Sequence, residues 1–420
     1  MNESPGRRRR QQAVIALAAA TRFGSGILMG TAMAVYVSRS GSEFAVSMVL
    51  TAYFLGMMLF APVWGAVADV TGRRRAVMVL TGVLATLAVL PLAAVDGVWT
   101  PIGFRGLYAA FAVGFVPVML TVVSTRGGRE GRGRSVGFFN SARAVGFAGG
   151  QLAAGALLGL LVSSELYLVI AGLSLLSTVA TLFVVDPTPD TDADPSVEEL
   201  IGEVRDRLFP GVEDREHLRT HGLRWLYVAL ALRNMTVLGT MSLMPPYLLG
   251  EVGASEPTMG VLLALNPISQ AAFMYLFGRV ADRAGRKPLV VAGMAGSGVF
   301  ALLAAGASVP KSGAVRIAAI GFALLVIGAA YSAMTTGAIA FIGDVAPADR
   351  ESELMGLRST AKGVGGVLGP PLFGATATVG SIQASFAGGS VLALVAAVLT
   401  AGTLVESRRA DPERTTPGDD

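Results

Sequence analysis

The chain has 420 residues, of which 53% are hydrophobic and 15% are charged. Soluble domains carry about 25% charged residues, so this composition excludes an ordinary soluble protein and indicates one that crosses a membrane many times. The sequence has no cysteine and only two histidines, which excludes disulfides and thiolate metal sites, and we expect neither a metal nor a cofactor. Although the net charge is +4, the basic residues lie mostly in short turns, which indicates membrane topology rather than nucleic-acid binding.

Twelve apolar segments follow one another along the chain, each near the ~20 residues that span a bilayer. Their predicted bounds are 12–37, 45–69, 74–95, 101–125, 135–162, 165–186, 223–249, 257–282, 288–308, 315–343, 353–377 and 380–405. They divide the chain into an N-terminal tail (1–11), a first six-helix unit (12–186), a polar linker (187–222), a second six-helix unit (223–405) and a C-terminal tail (406–420). The sequence therefore predicts an all-α membrane protein.

Arginine and lysine concentrate in the turns on one side of the predicted helices. Arg7 to Arg10 precede the first span, Arg73 to Arg75 follow the second, and Arg286 and Lys287 follow the eighth. Positively charged loops stay in the cytoplasm. We therefore predict a multi-pass protein of the cell (plasma or inner) membrane, with both termini cytoplasmic, lipid around it and a monomeric state.

A short motif occurs twice, 213 residues apart, after the second and the eighth span. Other residues recur in the two halves at offsets of 211 to 219, among them Arg22 with Arg233 and Arg143 with Lys362. A duplicated pattern of turns and intramembrane charges indicates two copies of one six-helix unit. Parallel repeats with a binding site between them are a transporter architecture.

Each copy of the motif places an acid at the end of a helix, where it can meet the positive N-terminus of a helix from the other half. The glycine four residues earlier shares that helix face and lets a neighbour approach, and the arginine four residues later can pair with the acid. The second glycine breaks the helix and allows a tight turn. We predict that these residues form a conformational latch between the halves: Gly65, Asp69, Gly72 and Arg73, with Gly278, Asp282, Gly285 and Arg286.

On these two motifs the chain resembles the major facilitator superfamily over residues 12–405. The resemblance implies two pseudo-symmetric six-helix bundles that rock to give alternating access, with Asp69 and Asp282 as latch acids. It also makes Arg105 a candidate for coupling, although Ala109 replaces the usual glycine; the alternative is an outer-end anchor. The helix-five motif of drug:proton antiporters is incomplete here, because Gln151 replaces its proline.

Intramembrane charge in this chain is one-sided and positive. Arg22 and Arg233 lie about 15 Å and 14 Å inside their spans, near the middle of a ~30 Å core, where a charge costs at least ~2.5 kcal/mol. No acid lies deep in any predicted span, so an anionic substrate could supply the missing partner. The alternative is that both arginines only pack within the protein. Arg143 and Lys362 are predicted between the halves, where they face the cavity or pair with the latch acids.

Further polar side chains are candidates for the substrate cavity, and they are Tyr36, Tyr247, Tyr53, Asn266, Gln151 and Gln270. Because no acid is deep in a span, coupling would run through Asp69, through a counter-substrate, or not at all.

The favoured interpretation is a secondary active transporter of a small molecule, of the efflux type. An exchanger of organic anions or phosphate esters that uses Arg22 and Arg233 is the first alternative, since organophosphate:phosphate antiporters of the same superfamily also use an arginine from helices one and seven. A non-transporting receptor or scaffold is the alternative of another class. No nucleophile elbow, histidine–acid cluster or phosphate loop is present, so we do not expect an enzyme.

Overall fold

The computed structural model describes residues 5–187, 196–208, 216–347 and 350–407 and is helical almost throughout. The helices in chain order are α1 Pro5–Ser38, α2 Glu43–Thr71, α3 Arg74–Val89, α4 Trp99–Ala112, α5 Phe115–Leu158, α6 Ser163–Leu182, α7 Val197–Leu208, α8 Leu223–Gly250, α9 Glu256–Ala284, α10 Arg286–Gly306, α11 Gly313–Val345, α12 Glu351–Val379 and α13 Ile382–Thr403. Short 3-10 turns cover Leu90–Ala93 and Glu216–Gly222.

These helices make twelve membrane crossings in two six-helix bundles, as predicted. Gly128, with φ 61° and ψ −172°, breaks the long helix α5 in two. The fourth crossing is α4 with the first part of α5, and the fifth is the remainder of α5. The helix α7 lies in the linker and is too short to cross.

Ten segments of the described chain are long and apolar enough to span a membrane by length and composition alone. The two crossings that fall short are the second part of α5 and α12, which carry Arg143, Arg358 and Lys362 together with many glycines. Each packs against helices of both halves: α5 on α1 and α9, and α12 on α8 and α2. Helices that line the centre of a bundle have little contact with lipid, so they can be more polar than the outer helices.

Several helix bounds differ from the predicted ones. The first helix begins at Pro5 instead of residue 12, because a helix continues through its arginines once it leaves the apolar core. The third ends as an α-helix at Val89, and a 3-10 turn that includes Pro91 follows, since proline has no backbone N–H to donate to the helical hydrogen-bond pattern. The fifth ends at Leu158 instead of residue 162.

Glycines on the fifth and eleventh crossings allow two related sets of close contacts. On α5, a Cβ at Gly146 or Gly150 would lie 2.5 Å or 2.7 Å from a carbonyl oxygen of α1. On α12, a Cβ at Gly369 would lie 2.5 Å from a carbonyl oxygen of α8. Each helix therefore packs backbone to backbone on the first helix of its own half, as pseudo-symmetry requires.

Candidate functional site

The two halves touch at one face of the bundle and diverge toward the other. We call the face with α7 and the turn between α2 and α3 the α7 face, and the other the opposite face. At the opposite face, a Cβ on Gly155 would meet the carbonyl oxygen of Glu256 at 2.7 Å, and a Cβ on Gly374 would meet that of Glu43 at 2.8 Å. Further along α2 and α12, a Cβ on Gly363 would lie 3.4 Å from Sδ of Met58.

Toward the α7 face the helices of the two halves separate. A Cβ on Gly278 would meet nothing within 4 Å, and one on Gly65 would meet only Nη1 of Arg207, at 3.0 Å. These are the two motif glycines that were predicted to let the other half approach. The result is a cleft between the halves that is closed at the opposite face and open at the α7 face.

In this conformation Asp69 pairs with the linker helix. Its Oδ2 accepts a hydrogen bond from Nη2 of Arg207 at 2.9 Å, and its Oδ1 lies 3.7 Å from Nη2 of Arg74. Arg207 also donates from Nε to Glu203, one turn earlier on α7. Burial alone lowers the pKa of Arg207, but the hydrogen bonds to Asp69 and Glu203 outweigh burial and raise it overall.

The turn after α2 has the predicted geometry. Gly72 caps α2 with φ 65°, a left-handed conformation that glycine adopts without steric cost. Arg73, predicted to pair with Asp69, lies exposed at the N-cap of α3.

The second motif is held by the segment after α13. Gly285 has φ 92°, and the backbone N–H groups of Arg286 and Lys287 donate to the carboxylate of Glu406 at 2.9 Å and 3.1 Å. A carboxylate here satisfies unpaired amides and meets the positive end of the α10 dipole. The side chain of Arg286 donates from Nε to Asp344 at 3.1 Å. The predicted latch acid Asp282 has a side chain outside the described part.

Arg22 and Arg233 are buried, with 4% and 1% of their surface exposed, and each points into its own half. Arg22 donates to Ser174 of α6 at 3.3 Å. Arg233 donates from Nε to Ser297 of α10 at 2.8 Å, and its guanidinium lies 5.5 Å from the ring centroid of Tyr331. The two guanidinium groups therefore lie inside separate bundles.

Arg105 is buried in the first half, with 3% of its surface exposed. Its Cζ lies 4.7 Å from the ring centroid of Tyr53 and 5.5 Å from that of Tyr108. Nε and Nη1 of Arg105 have no hydrogen-bond partner among the described residues. Arg105 makes cation–π contacts instead, and these offset part of the free-energy cost of removing its charge from water.

The remaining polar candidates divide between structural and cavity positions. Tyr247 is fully buried and donates to the carbonyl of Ala304 at 2.6 Å, which makes it a packing residue. Gln151 accepts from Thr31 at 2.8 Å, and Gln270 donates to Asn266 at 2.7 Å.

Tyr36 packs on Tyr167 with 5.9 Å between ring centroids. Its hydroxyl is buried and has no hydrogen-bond partner in the described part of the chain.

Sequence reasoning missed three residues at this site. Arg207 contacts a residue 138 positions away, and Glu406 one 120 positions away, so no local pattern marks either contact. Arg358 could have been found, because it stands four residues before Lys362 and therefore on the same face of α12.

Two duplicated helical bundles around a charged cleft that opens at one face define a membrane transporter of the alternating-access class. The model of the Major Facilitator Superfamily matches residues 14–250 and 226–419, and the chain belongs to that family. It is a transporter that moves a small molecule across a lipid bilayer.

Curated relatives include a multi-drug resistance efflux pump and a tetracycline resistance protein. The chain is 21% identical to a multi-drug resistance efflux pump PmrA homolog of Lactococcus lactis, over 80% of this chain and 79% of the relative. It is 33% identical to the class E tetracycline resistance protein of Escherichia coli, over 39% of each.

Solved structures show the same fold at low identity. A bacterial homolog of the human lysosomal transporter Spinster, in an inward-facing and occupied conformation, has a TM-score of 0.74 and 16% identity, with 97% of this chain and 100% of that chain covered. The nucleoside transporter NupG has a TM-score of 0.70 and 14% identity, with 94% and 98% covered.

Proposed function

We propose that this protein exports a small molecule from the cytoplasm across the cell membrane, as an efflux-type permease that carries out no covalent chemistry. The cleft, which is closed at the opposite face and open at the α7 face, supports a carrier with alternating access, and the efflux pump among the relatives supports the export direction. The α7 face also holds the clustered arginines, and such clusters stay in the cytoplasm. The structure is then inward-open, which is the state in which an exporter loads its substrate.

Export requires a second state, in which the α7 face closes and the opposite face opens. Asp69 then leaves Arg207 and meets the N-terminus of a helix in the second half. Asp282 meets the N-terminus of a helix in the first half. The names of the relatives, a multi-drug efflux pump and a tetracycline resistance protein, support the export direction.

We propose that export is coupled to the movement of a proton or of a counter-substrate. Asp69 is the acid that changes partner between the two states, so it is our first site for a coupling proton. Arg105, buried with two unpaired nitrogens, is the second coupling residue in this proposal. A single chain contains both halves of the cleft, and we propose that it acts as a monomer.

The export proposal is tested in bacterial cells that lack their main efflux pumps. We expect cells that express the protein to retain less of at least one dye in a panel of ethidium, tetracycline and fluorescein than cells with an empty vector. Asp69→Asn removes the charge that must meet a helix N-terminus, and we expect it to abolish the difference while membrane insertion stays normal. Asp96→Asn, the same change at the opposite face, is the matched control and should export normally.

Two results would contradict the proposal in different ways. Equal retention of every dye with and without the protein would remove the export function. Normal export by Asp69→Asn would leave the function in place and remove the latch.

A further inference from the structure

Three cations stand between the halves without an acidic partner. Arg143 of α5, with Arg358 and Lys362 of α12, makes no hydrogen bond or ion pair with any residue in the described ranges. Arg143 contacts only aromatic rings, with Cζ 5.2 Å from the centroid of Phe23 and 5.6 Å from that of Phe147. We call Arg143, Arg358 and Lys362 the cation cluster.

The cluster lies at the closed end of the cleft. Lys362 directly precedes Gly363, whose added Cβ would lie 3.4 Å from Sδ of Met58 in the other half. The side chain of Lys362 is exposed to solvent although protein surrounds it. This combination is expected of a side chain that lines an internal cleft. Arg358 stands one helical turn nearer the α7 face.

Both halves contribute to the same electrostatic neighbourhood. Lys362 and Arg358 of the second half and Arg143 of the first are close enough to act on the hydroxyl of Tyr331. Arg143 also acts on the hydroxyl of Tyr53, which borders the cleft from α2. The cation cluster therefore spans the gap between the bundles, and Arg233, whose guanidinium lies 5.5 Å from the ring centroid of Tyr331, adds positive charge on the side of the second half.

Asp69 lies too far from Lys362 to neutralise it. Lys362 is eleven residues into α12, about 16 Å from the helix start, and a lysine side chain reaches about 6 Å. Asp69 is two residues from the end of α2 at the α7 face, so closing that face does not bring its carboxylate to Lys362. Gathering like charges in a region of low dielectric is unfavourable unless an opposite charge enters.

We propose that the cation cluster binds the anionic group of an amphiphilic organic anion between the two halves. This inference rests on the export function proposed above and names its substrate class. Ammonium and guanidinium groups form strong charge-assisted hydrogen bonds to a carboxylate, sulfonate or phosphate. The rings of Phe23 and Phe147, together with Met58, provide an apolar surface beside the cluster for the remainder of the molecule.

The test uses three probes that share one fluorophore and differ in charge: dansylglycine (anionic), dansylglycinamide (neutral) and dansyl-ethylenediamine (cationic). Binding is measured by fluorescence anisotropy to the full chain in nanodiscs of neutral phosphatidylcholine, with empty nanodiscs subtracted. We expect wild-type protein to bind the carboxylate at least about tenfold more tightly than the other two, as one charge-assisted hydrogen bond would produce. Added salt should weaken that preference.

Variants then locate the binding. Lys362→Gln is expected to weaken the binding of dansylglycine by about tenfold or more and to leave the binding of dansylglycinamide unchanged. Lys362→Arg keeps the charge and should retain the binding of dansylglycine. Lys311→Gln, the same change in the loop before α11, is the matched control and should bind as wild type. Thermal unfolding of each variant shows whether it is folded. The charge preference is measured on wild-type protein, so it tests the inference even if a variant does not fold.

Each outcome decides the inference. Absence of dansylglycine binding, equal or tighter binding of the cationic probe, or unchanged dansylglycine affinity in folded Lys362→Gln would overturn it. Failure of the export function is seen separately in the dye-retention assay: charge-selective binding without export would remove the proposed function, and export without charge-selective binding would remove only the anion site.

Discussion

Two glycines on α9 have different surroundings, although the same helix carries both. Gly260 packs on α5 at the opposite face, where its added Cβ would lie 2.7 Å from the carbonyl oxygen of Gln151 and from Cα of Gly155. Gly278, at the α7 face, has no described atom within 4 Å. At the scale of single residues, this contrast indicates which end of the cleft is closed.

We expect leucine at these two positions to act differently. Gly260→Leu displaces backbone on α5 and should lower stability by about 1–3 kcal/mol, the usual cost of overpacking. The Cβ of Gly278→Leu meets no atom of the described residues within 4 Å, and we expect this variant to unfold at or above the wild-type temperature, since leucine is the better helix former. Thermal unfolding of the purified variants in detergent measures both.

Export assays add a second contrast for Gly278→Leu. Its side chain blocks the approach of the other half at the α7 face, so we expect a stable protein that does not export. A stable variant with normal export would show that the α7 face never closes on Gly278.

The element with the clearest separate role is α7. The amphipathic spacing of Val197, Leu200, Ile201, Val204 and Leu208 predicts a short surface helix, and the structure has a helix over Val197–Leu208. Its attachment to α2 through Arg207 and Asp69 is long-range, and helical periodicity carries no information about such a contact. A surface helix was therefore predictable, but its docking site was not.

Arg207→Gln should release α7 from α2 while leaving the bundle intact. Exposed ion pairs contribute about 0.2–1 kcal/mol, so we expect little change in unfolding temperature and about two- to fivefold faster hydrogen exchange across 197–208. Arg205→Gln, an exposed neighbour on α7, is the control and should exchange as wild type.

The charge of Arg207 gives this contact a defined pH range. Its folded pKa is raised, so its contribution to stability is complete below its ordinary pKa and is lost only as the pH rises through the raised value. Across neutral pH the arginine stays charged, and exchange across 197–208 at pH 6 and pH 8, corrected for intrinsic rates, should not differ because of it.

For the whole molecule, the repeat and the positive turns were enough to predict the fold, because duplication and hydropathy act over many residues at once. The direction of individual guanidinium groups was not predictable. The rise per residue predicts the depth of Arg22 and Arg233, but the rotation of each helix decides whether a side chain faces its own bundle or the cleft. That rotation depends on packing by distant glycines such as Gly146 and Gly369.

Orientation in the membrane can be tested because the chain has no cysteine of its own. A membrane-impermeant maleimide should label Lys311→Cys in intact cells, since the loop before α11 is predicted outside. It should label Glu198→Cys, on α7, only after the cells are permeabilised. The reverse pattern would place α7 outside the cell and contradict the predicted orientation.

On α5 and α12 the residues that pack helices together and the residues that face the cleft are different sets on the same helix. Gly146 and Gly369 hold the first helix of each half by backbone contact, while Arg143 and Lys362 belong to the proposed anion site. Mutation can therefore alter the cleft-facing set without disturbing helix packing. Divergence within one bundle architecture is then free to produce new specificities, and the two halves already differ in this set, with Arg143 in the first and Lys362 in the second.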